Sequence, residues 1–270
     1  MDQPLSGDAY APREIAQRVR AIGVAKARLD LTTMFVLAVL AGAFISLGGI
    51  FFTVVITDPP SSFGVTRLIG GLSFSLGLIL VVVAGAELFT GNNLVAMAWA
   101  SRMLTSRELV RSWAVVYAGN VAGAVGTVGL VWAADIDSLA GDQVGETALA
   151  IAHSKADLGL LQAFALGIIC NALVCLAVWL AFAGRSVADK IAAILFPITA
   201  FVAIGTEHSI ANWFFLPYGI ALDGFEDSSL LTGGAGNLVA VTAGNIVGGS
   251  LLVAGIYWLA YLRGDPPVLE

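Results

Sequence analysis

The chain has 270 residues, of which 58% are apolar and 12% are charged, and its mean hydropathy is +0.90. An ordinary soluble domain carries roughly 25% charged residues, so this composition excludes a soluble enzyme and a disordered chain. The net charge of -6, without any basic block, excludes a nucleic-acid-binding protein.

The first 30 residues lack the apolar region that a signal peptide requires. We expect 1–30 to be a cytoplasmic N-terminal segment, partly folded as an amphipathic helix over 10–29. Ile15, Val19 and Ile22 share one face of that helix. An amphipathic helix of this kind lies either on the membrane surface or in solvent, and the sequence leaves both alternatives open.

A membrane-spanning helix needs about 20 predominantly apolar residues. Six segments are long enough, and the second and fifth are each interrupted by one glutamate, Glu87 and Glu207. We therefore predict an all-α integral membrane protein with a six-span transmembrane domain at 31–262 and a cytoplasmic tail at 263–270. The start of the last segment, 228–236, is expected to be a loop or a short re-entrant piece. The six segments are 31–57, 68–101, 112–134, 158–184, 191–222 and 228–262.

The basic residues are distributed unevenly between the two sides of the predicted membrane domain. Of the 13 lysines and arginines, 11 lie on the side of the termini, and only Arg67 and Lys155 lie on the opposite side, together with nine acidic residues. Loops rich in Lys and Arg stay on the cytoplasmic side. We therefore expect both termini to be cytoplasmic and the protein to be a multi-pass protein of the cell (inner) membrane.

The two cysteines carry no sign of a bridge or a metal site. Cys170 and Cys175 are five residues apart, which is about 140° around a helix, so their side chains point to different faces. No spacing typical of metal ligands is present, and we expect neither a metal nor a cofactor.

The two halves of the chain repeat one another. The pattern AGNxxG occurs at 118–123 and 243–248, and the pattern GxE, with asparagine five residues after the glutamate, begins at Gly85 and Gly205. Because each half holds three spans, the second half enters the membrane upside down. This arrangement is a 3+3 inverted repeat with interrupted second and fifth helices. The glycines of AGNxxG are expected to allow close helix packing.

The interruptions are the candidate functional positions, because a glutamate inside hydrocarbon costs roughly 2.5–3.5 kcal/mol or more. Glu87 and Glu207 are expected to accept hydrogen bonds from the backbone amides that each break sets free. Gly91 is expected to adopt a positive φ, and Thr90 and Asn92 to satisfy freed amides or cap the following half-helix.

A histidine, His208, adjoins the second break, and histidine is the residue type whose unperturbed pKa lies near neutral pH. One interpretation is a structural histidine bonded in the core. Its place at a helix break in an inverted repeat favours a role in transport. Asn171, a polar residue in mid-span, is expected to join the same network.

The chain resembles the formate/nitrite transporter family over about residues 30–262. Two pieces, GRSVADK at 184–190 and FFLPYGI at 214–220, are closer to the formate branch than to the nitrite branch. The motifs that carry the resemblance follow in the expected order: AGAFISLGG (41–49), GAELFTGN (85–92), Lys155, CNALVCLAVWLAF (170–182), GTEHSIAN (205–212) and WFFLPYGI (213–220).

The resemblance implies an aquaporin-like protomer, a homopentamer in the lipid bilayer with one pore in each protomer, and passage of small monovalent anions of weak acids. Formate is the anion it implies first, with nitrite or hydrosulfide as the alternative, and with acetate or lactate in some members. It also implies that protons accompany the anion by way of a central histidine.

Carried over by position, the resemblance makes His208 the central histidine, Thr90 the loop threonine and Lys155 the lysine of the external vestibule. We place Asn171 and Asn212 beside them on the substrate pathway. The two hydrophobic constrictions correspond to Phe74 and Phe201 on the outer side and to Leu78 and Leu88 on the inner side. The structural network at the breaks consists of Glu87, Glu207, Gly91 and Asn92.

Three other classes compete with this interpretation. A neutral-solute or water channel of the aquaporin type would carry paired Asn-Pro-Ala boxes, and the chain has no Asn-Pro. An intramembrane enzyme would carry a motif such as Gly-x-Ser-x-Gly or His-Glu-x-x-His, and neither occurs, so we do not expect an enzyme. A purely structural membrane protein does not account for the glutamates and the histidine inside the membrane.

Overall fold

The computed structural model describes residues 9–59 and 62–265; what was expected of 1–8 and 266–270 lies outside these residues. The described chain is helical, and six of its helices are long and apolar enough to cross a membrane. The predicted all-α, six-span architecture is thereby confirmed. The spans are Leu31–Ile56, Phe63–Gly85, Ser106–Ala133, Leu160–Ala183, Val187–Ile204 and Ser228–Tyr261.

Eleven α-helices are named here in chain order along the described residues. Residues 9 and 265 lie on one side of the bilayer, which we call the terminal side, and the other side is the distal side. The helices are α1 (Pro12–Ala27), α2 (Leu31–Ile56), α3 (Phe63–Leu80), α4 (Ala96–Ala100), α5 (Ser106–Ala133), α6 (Gln143–Ala156), α7 (Leu160–Ala183), α8 (Val187–Ile204), α9 (Ser209–Leu222), α10 (Ser228–Ile246) and α11 (Ile256–Tyr261). Wider π-helical turns extend α3 over Val81–Gly85 and join α10 to α11 over Val247–Gly255, and 3-10 turns cover Gly91–Val95 and Ile136–Ser138.

On the terminal side, the first turns of the helices are capped by side chains of residues at or next to the helix start. The Asp30 carboxylate accepts a hydrogen bond from Thr33 N at the start of α2. Thr105 and Glu108 form a capping box at α5, and Ser186 and Asp189 form another at α8. Each cap satisfies amides that the first helical turn leaves without a partner.

The expectation of a loop or re-entrant piece at 228–236 is wrong, because this stretch is the first half of α10. Asp227 caps it by accepting hydrogen bonds from Ser229 N and Leu230 N. A glycine of this stretch serves helix packing. A Cβ on Gly233 would overlap the Ala156 carbonyl oxygen, so only glycine lets α10 approach the end of α6 this closely.

The repeat is visible as two equivalent helix pairs, α2 with α5 and α7 with α10. A Cβ on Gly123 would overlap the Val39 carbonyl oxygen, and a Cβ on Gly248 would overlap the Ile168 carbonyl oxygen. Backbones therefore touch at the same place in both halves. The packing role predicted for these glycines is confirmed.

The N-terminal helix α1 lies against the membrane domain rather than free in solvent. Ile15 and Val19 are buried in a cluster with Met97 and Leu262, and Gly23 sits against Ala98. This packing places the end of α1 next to the first break.

Candidate functional site

Both breaks begin with a glycine in the left-handed region. Gly85 has φ 85° and Gly205 has φ 82°, a conformation that L side chains adopt only with strain. The expectation that Gly91 adopts a positive φ is wrong: Gly91 lies in the 3-10 turn after the break. In both breaks the first residue of the GxE motif, rather than Gly91, is the glycine with a positive φ.

Two asparagines missed by the sequence reasoning, Asn120 and Asn245, hold the breaks. Asn120 Oδ1 accepts from Phe89 N at 2.8 Å, while its Nδ2 donates to the carbonyls of Ala38 and Glu87. Asn245 Oδ1 accepts from Ser209 N at 2.9 Å, while its Nδ2 donates to the carbonyls of Gly167 and Glu207. These are the asparagines of AGNxxG, so their recurrence in both halves of the sequence was the signal that could have identified them.

The first glutamate is bound by side chains. Glu87 accepts from Lys26 Nζ at 2.7 Å and from Asn92 Nδ2 at 2.7 Å, and Lys26 also donates to Asn92 Oδ1. Lys26 lies in α1 and was missed, because nothing local ties it to a residue 61 positions later.

The second glutamate has a larger set of partners. Glu207 accepts from Lys155 Nζ at 2.9 Å, from Asn212 Nδ2 at 2.6 Å and from Asn237 Nδ2 at 3.3 Å. Among the described residues no backbone amide donates to the carboxylate of Glu87 or Glu207, so that expectation is wrong. The asparagines of AGNxxG perform that task, and the glutamates anchor lysines.

Thr90 and His208 join the two breaks at the centre of the molecule. Thr90 Oγ1 and His208 Nε2 are 2.9 Å apart, and both residues are buried. His208 Nδ1 accepts a hydrogen bond from Ala211 N at 3.0 Å. A ring nitrogen that accepts carries no proton, so the hydrogen-bond network assigns the proton to Nε2 and the ring is neutral. Nε2–H then donates to Thr90 Oγ1, which leaves the threonine hydroxyl hydrogen for another acceptor.

The Thr90 backbone is fixed from α7. Its carbonyl oxygen accepts from Asn171 Nδ2 and from Cys175 Sγ, each at 3.3 Å. Asn171 Nδ2 also donates to the Asn245 carbonyl at 2.7 Å, so this asparagine contacts both halves of the repeat. Asn212 is placed differently: its side-chain amide donates to Glu207 and Asn237, and it is linked to His208 only through its backbone amide, which donates to the His208 carbonyl oxygen at 2.9 Å.

The four apolar residues expected at constrictions are all buried. Phe74 and Phe201 meet edge to face with ring centroids 5.5 Å apart, and Phe201 stacks on His208 at 6.1 Å. Leu78 and Leu88 are buried and line a cavity of about 450 Å³ on the terminal side. The same cavity is lined by Lys26, Glu87, Asn92 and Lys190.

Lys155 was expected in an open vestibule. Its side chain is 12% exposed, its ammonium group binds Glu207, and it lies 5.4 Å from the Phe215 ring. The structure therefore places the lysine behind the second break as one half of a buried ion pair.

This geometry defines a class: a six-span membrane protein in which an inverted repeat brings two interrupted helices together around a buried Thr–His pair. The model of the formate/nitrite transporter family matches residues 13–259, and the chain belongs to that family.

Comparisons with individual proteins agree with this family and with the fold. The chain is 40% identical to the formate channel FocA of Escherichia coli K12, over 95% of this chain and 96% of FocA. It is similar to a solved pentameric formate channel with formate bound, with a TM-score of 0.78 and 43% identity, covering 86% of this chain and 98% of that chain. The aquaglyceroporin of Plasmodium falciparum shares the fold, with a TM-score of 0.57 at 14% identity, over 85% of this chain and all of that chain. The aquaporin-like protomer is thereby confirmed, and the relatives are described as channels and transporters rather than enzymes.

Proposed function

We propose that this protein carries formate across the cell membrane through a pore in each protomer, by way of the Thr90–His208 pair. The observation that carries the proposal is this buried pair, with Phe201 stacked on His208, in a chain 40% identical to a formate channel. The other anions of the family, nitrite, hydrosulfide and acetate, are its candidate further substrates.

The apolar constrictions select for weak acids. An isolated carboxylate pays several kcal/mol or more to enter a low-dielectric region, and a group that can bind a proton neutralises instead. Desolvation between the two constrictions therefore raises the pKa of formic acid and favours protonation of formate. An anion of a strong acid such as chloride has no such route.

Thr90 and His208 supply the polar contacts at the point of greatest desolvation. With the His208 Nε2–H donating to Thr90, the threonine hydroxyl hydrogen donates to the anion. Proton linkage through His208 begins with a proton bound at Nδ1, which displaces the Ala211 N–H contact. The Nε2 proton then passes to Thr90 Oγ1 as the threonine proton passes to formate, and the ring is again neutral.

The assembly and orientation follow from the same proposal. We infer a homopentamer, as described for the solved formate channel, in the inner membrane with the terminal side facing the cytoplasm. Exposed apolar side chains on the spans, such as Leu130, Phe196 and Val239, are available to lipid and to neighbouring protomers.

The test is solute flux into proteoliposomes that contain the full chain. We expect formate to enter fastest, nitrite, hydrosulfide and acetate to enter more slowly, and chloride and glycerol to stay at the level of empty liposomes. Rapid glycerol or water flux without formate flux would assign the pore to neutral solutes. Native mass spectrometry of the same preparation in mild detergent tests the pentamer.

A further inference from the structure

The geometry points to Arg67 as the residue that attracts and orients the anion at the distal mouth of the pore, an inference that rests on the proposed passage of formate. Arg67 is one of the two basic residues on the distal side, where nine acidic residues repel anions. The other, Lys155, is paired with Glu207 and 12% exposed, so its charge is largely compensated at short range.

Arg67 keeps its full charge. Its Nε donates to the Ala203 carbonyl at 3.0 Å and its Nη2 donates to the Val202 carbonyl at 2.7 Å. These carbonyl oxygens hold the guanidinium group in place without neutralising its positive charge. No carboxylate of the described residues lies within 4 Å of the guanidinium, and the residue is partly exposed.

The position of Arg67 is directly distal to the Phe74–Phe201 constriction. Arg67, Phe74 and Leu78 are seven and four residues apart, so they lie on one face of α3, with Arg67 about 10 Å above Phe74 along the helix. The carbonyls that Arg67 binds belong to the two residues that follow Phe201 in α8. The cation therefore lies over both helices that contribute the aromatic rings.

The guanidinium also has the right donors for a carboxylate. It carries five N–H groups in a planar fork, and the contacts to α8 use two of them. The remaining N–H groups on Nη1 and Nη2 match the two oxygens of formate. Arg67 thus raises the local anion concentration and presents the carboxylate to the constriction.

The first test is formate uptake by proteoliposomes of Arg67→Gln as a function of formate concentration, at ionic strengths of about 0.01 M and about 0.15 M, where the Debye length falls from about 30 Å to about 8 Å. We expect the KM of Arg67→Gln to rise about fivefold to tenfold at low ionic strength with kcat within about twofold, and the difference to shrink at the higher ionic strength. Arg67→Lys should recover most of the low-salt KM. The control Arg107→Gln removes the same charge from an exposed site on the terminal side and should leave KM unchanged.

A second variant tests the charge without disturbing the contacts to α8. Phe63 is 81% exposed, and the Arg67 Cζ lies 5.9 Å from its ring. Phe63→Glu places a carboxylate beside Arg67 and should raise the low-salt KM as Arg67→Gln does, whereas Phe63→Gln should not. A loss that is equal at both ionic strengths, or a lower kcat at unchanged KM, would make Arg67 a clamp on α8 and overturn the inference. Absence of formate uptake by the wild-type chain would instead overturn the proposed function.

Discussion

The two breaks are built from the same parts, yet they differ in how tightly those parts are held. At the first break Glu87 binds Lys26 and Asn92, and the Lys26 side chain is 27% exposed beside a cavity. At the second break Glu207 binds Lys155, Asn212 and Asn237, and the Lys155 side chain is 12% exposed. The repeated sequence motif therefore determines which contacts form at each break. The neighbouring helices determine how much of each ion pair is shielded from water.

The largest expected effect is shared by the two breaks. Asn120→Leu leaves Phe89 N and the Glu87 carbonyl without a partner, and Asn245→Leu leaves Ser209 N and the Glu207 carbonyl without one, at about 1–3 kcal/mol for each buried group. We expect both variants to lose the folded assembly in size-exclusion chromatography in mild detergent. Thr242→Val, which removes a polar side chain from the same helix as Asn245, is the control and should assemble normally. Assembly of either leucine variant at the wild-type level would show that the breaks do not depend on these asparagines.

The next largest expected effect, a loss of stability, differs between the two breaks. Glu207→Gln leaves the buried Lys155 without a counter-charge, and breaking a buried ion pair costs about 3–5 kcal/mol. Glu87→Gln should cost less, because solvent reaches Lys26 and screens the exposed charge. Thermal unfolding in detergent should therefore place the Tm of Glu207→Gln below that of Glu87→Gln. The double variant Lys155→Met, Glu207→Gln should recover part of the loss, and equal Tm values for the two single variants would contradict the difference in desolvation.

A third prediction concerns the point where the two breaks meet. His208→Asn keeps a polar side chain that can replace one of the two hydrogen bonds, to Thr90 or to Ala211 N at the start of α9, so it should assemble. Because asparagine cannot take up the proton that the proposed route through His208 requires, coupled proton movement should fall, and formate flux should depend less on pH than in the wild type. Formate flux measured together with internal pH in proteoliposomes checks both. If the variant keeps the wild-type pH profile and proton coupling, His208 is structural and the proton comes from water or from the acid itself.

The smallest effect lies at the distal end of α10. Hydrogen bonds from the Ser229 hydroxyl and the Ser229 amide lower the pKa of Asp227. A lowered pKa in the folded state means that the stabilisation is present above the unfolded pKa and is lost as pH falls through the folded value. Asp227→Ala should therefore lower Tm slightly at pH 7 and leave it unchanged in strong acid. Asp227→Asn, which caps without a charge, should be less sensitive to pH than the wild type; an Asp227→Ala deficit that persists unchanged into strong acid would argue against the cap.

Much of this molecule is encoded in local sequence. Span number and the inverted repeat follow from the length of apolar runs and from recurring GxE and AGNxxG patterns, because burial in lipid acts on each 20-residue segment separately. The positions of Glu87, Glu207 and His208 at the breaks follow from the same patterns. The repeat even contained the asparagines that hold the breaks, although their partners were not evident.

The tertiary structure decided the rest, because the partners are far apart in the chain. Lys26 reaches Glu87 across 61 residues, Arg67 reaches Ala203 across 136, and Asn245 reaches Ser209 across 36. Spacing predicts only neighbours on one helix, so the glutamates were expected to bind backbone amides. The resemblance placed Lys155 at the external vestibule without showing its partner, Glu207. The stretch 228–236 shows the same limit: it was expected to be a loop or a re-entrant piece, but it is helical, and Gly233 leaves the space that the end of α6 fills.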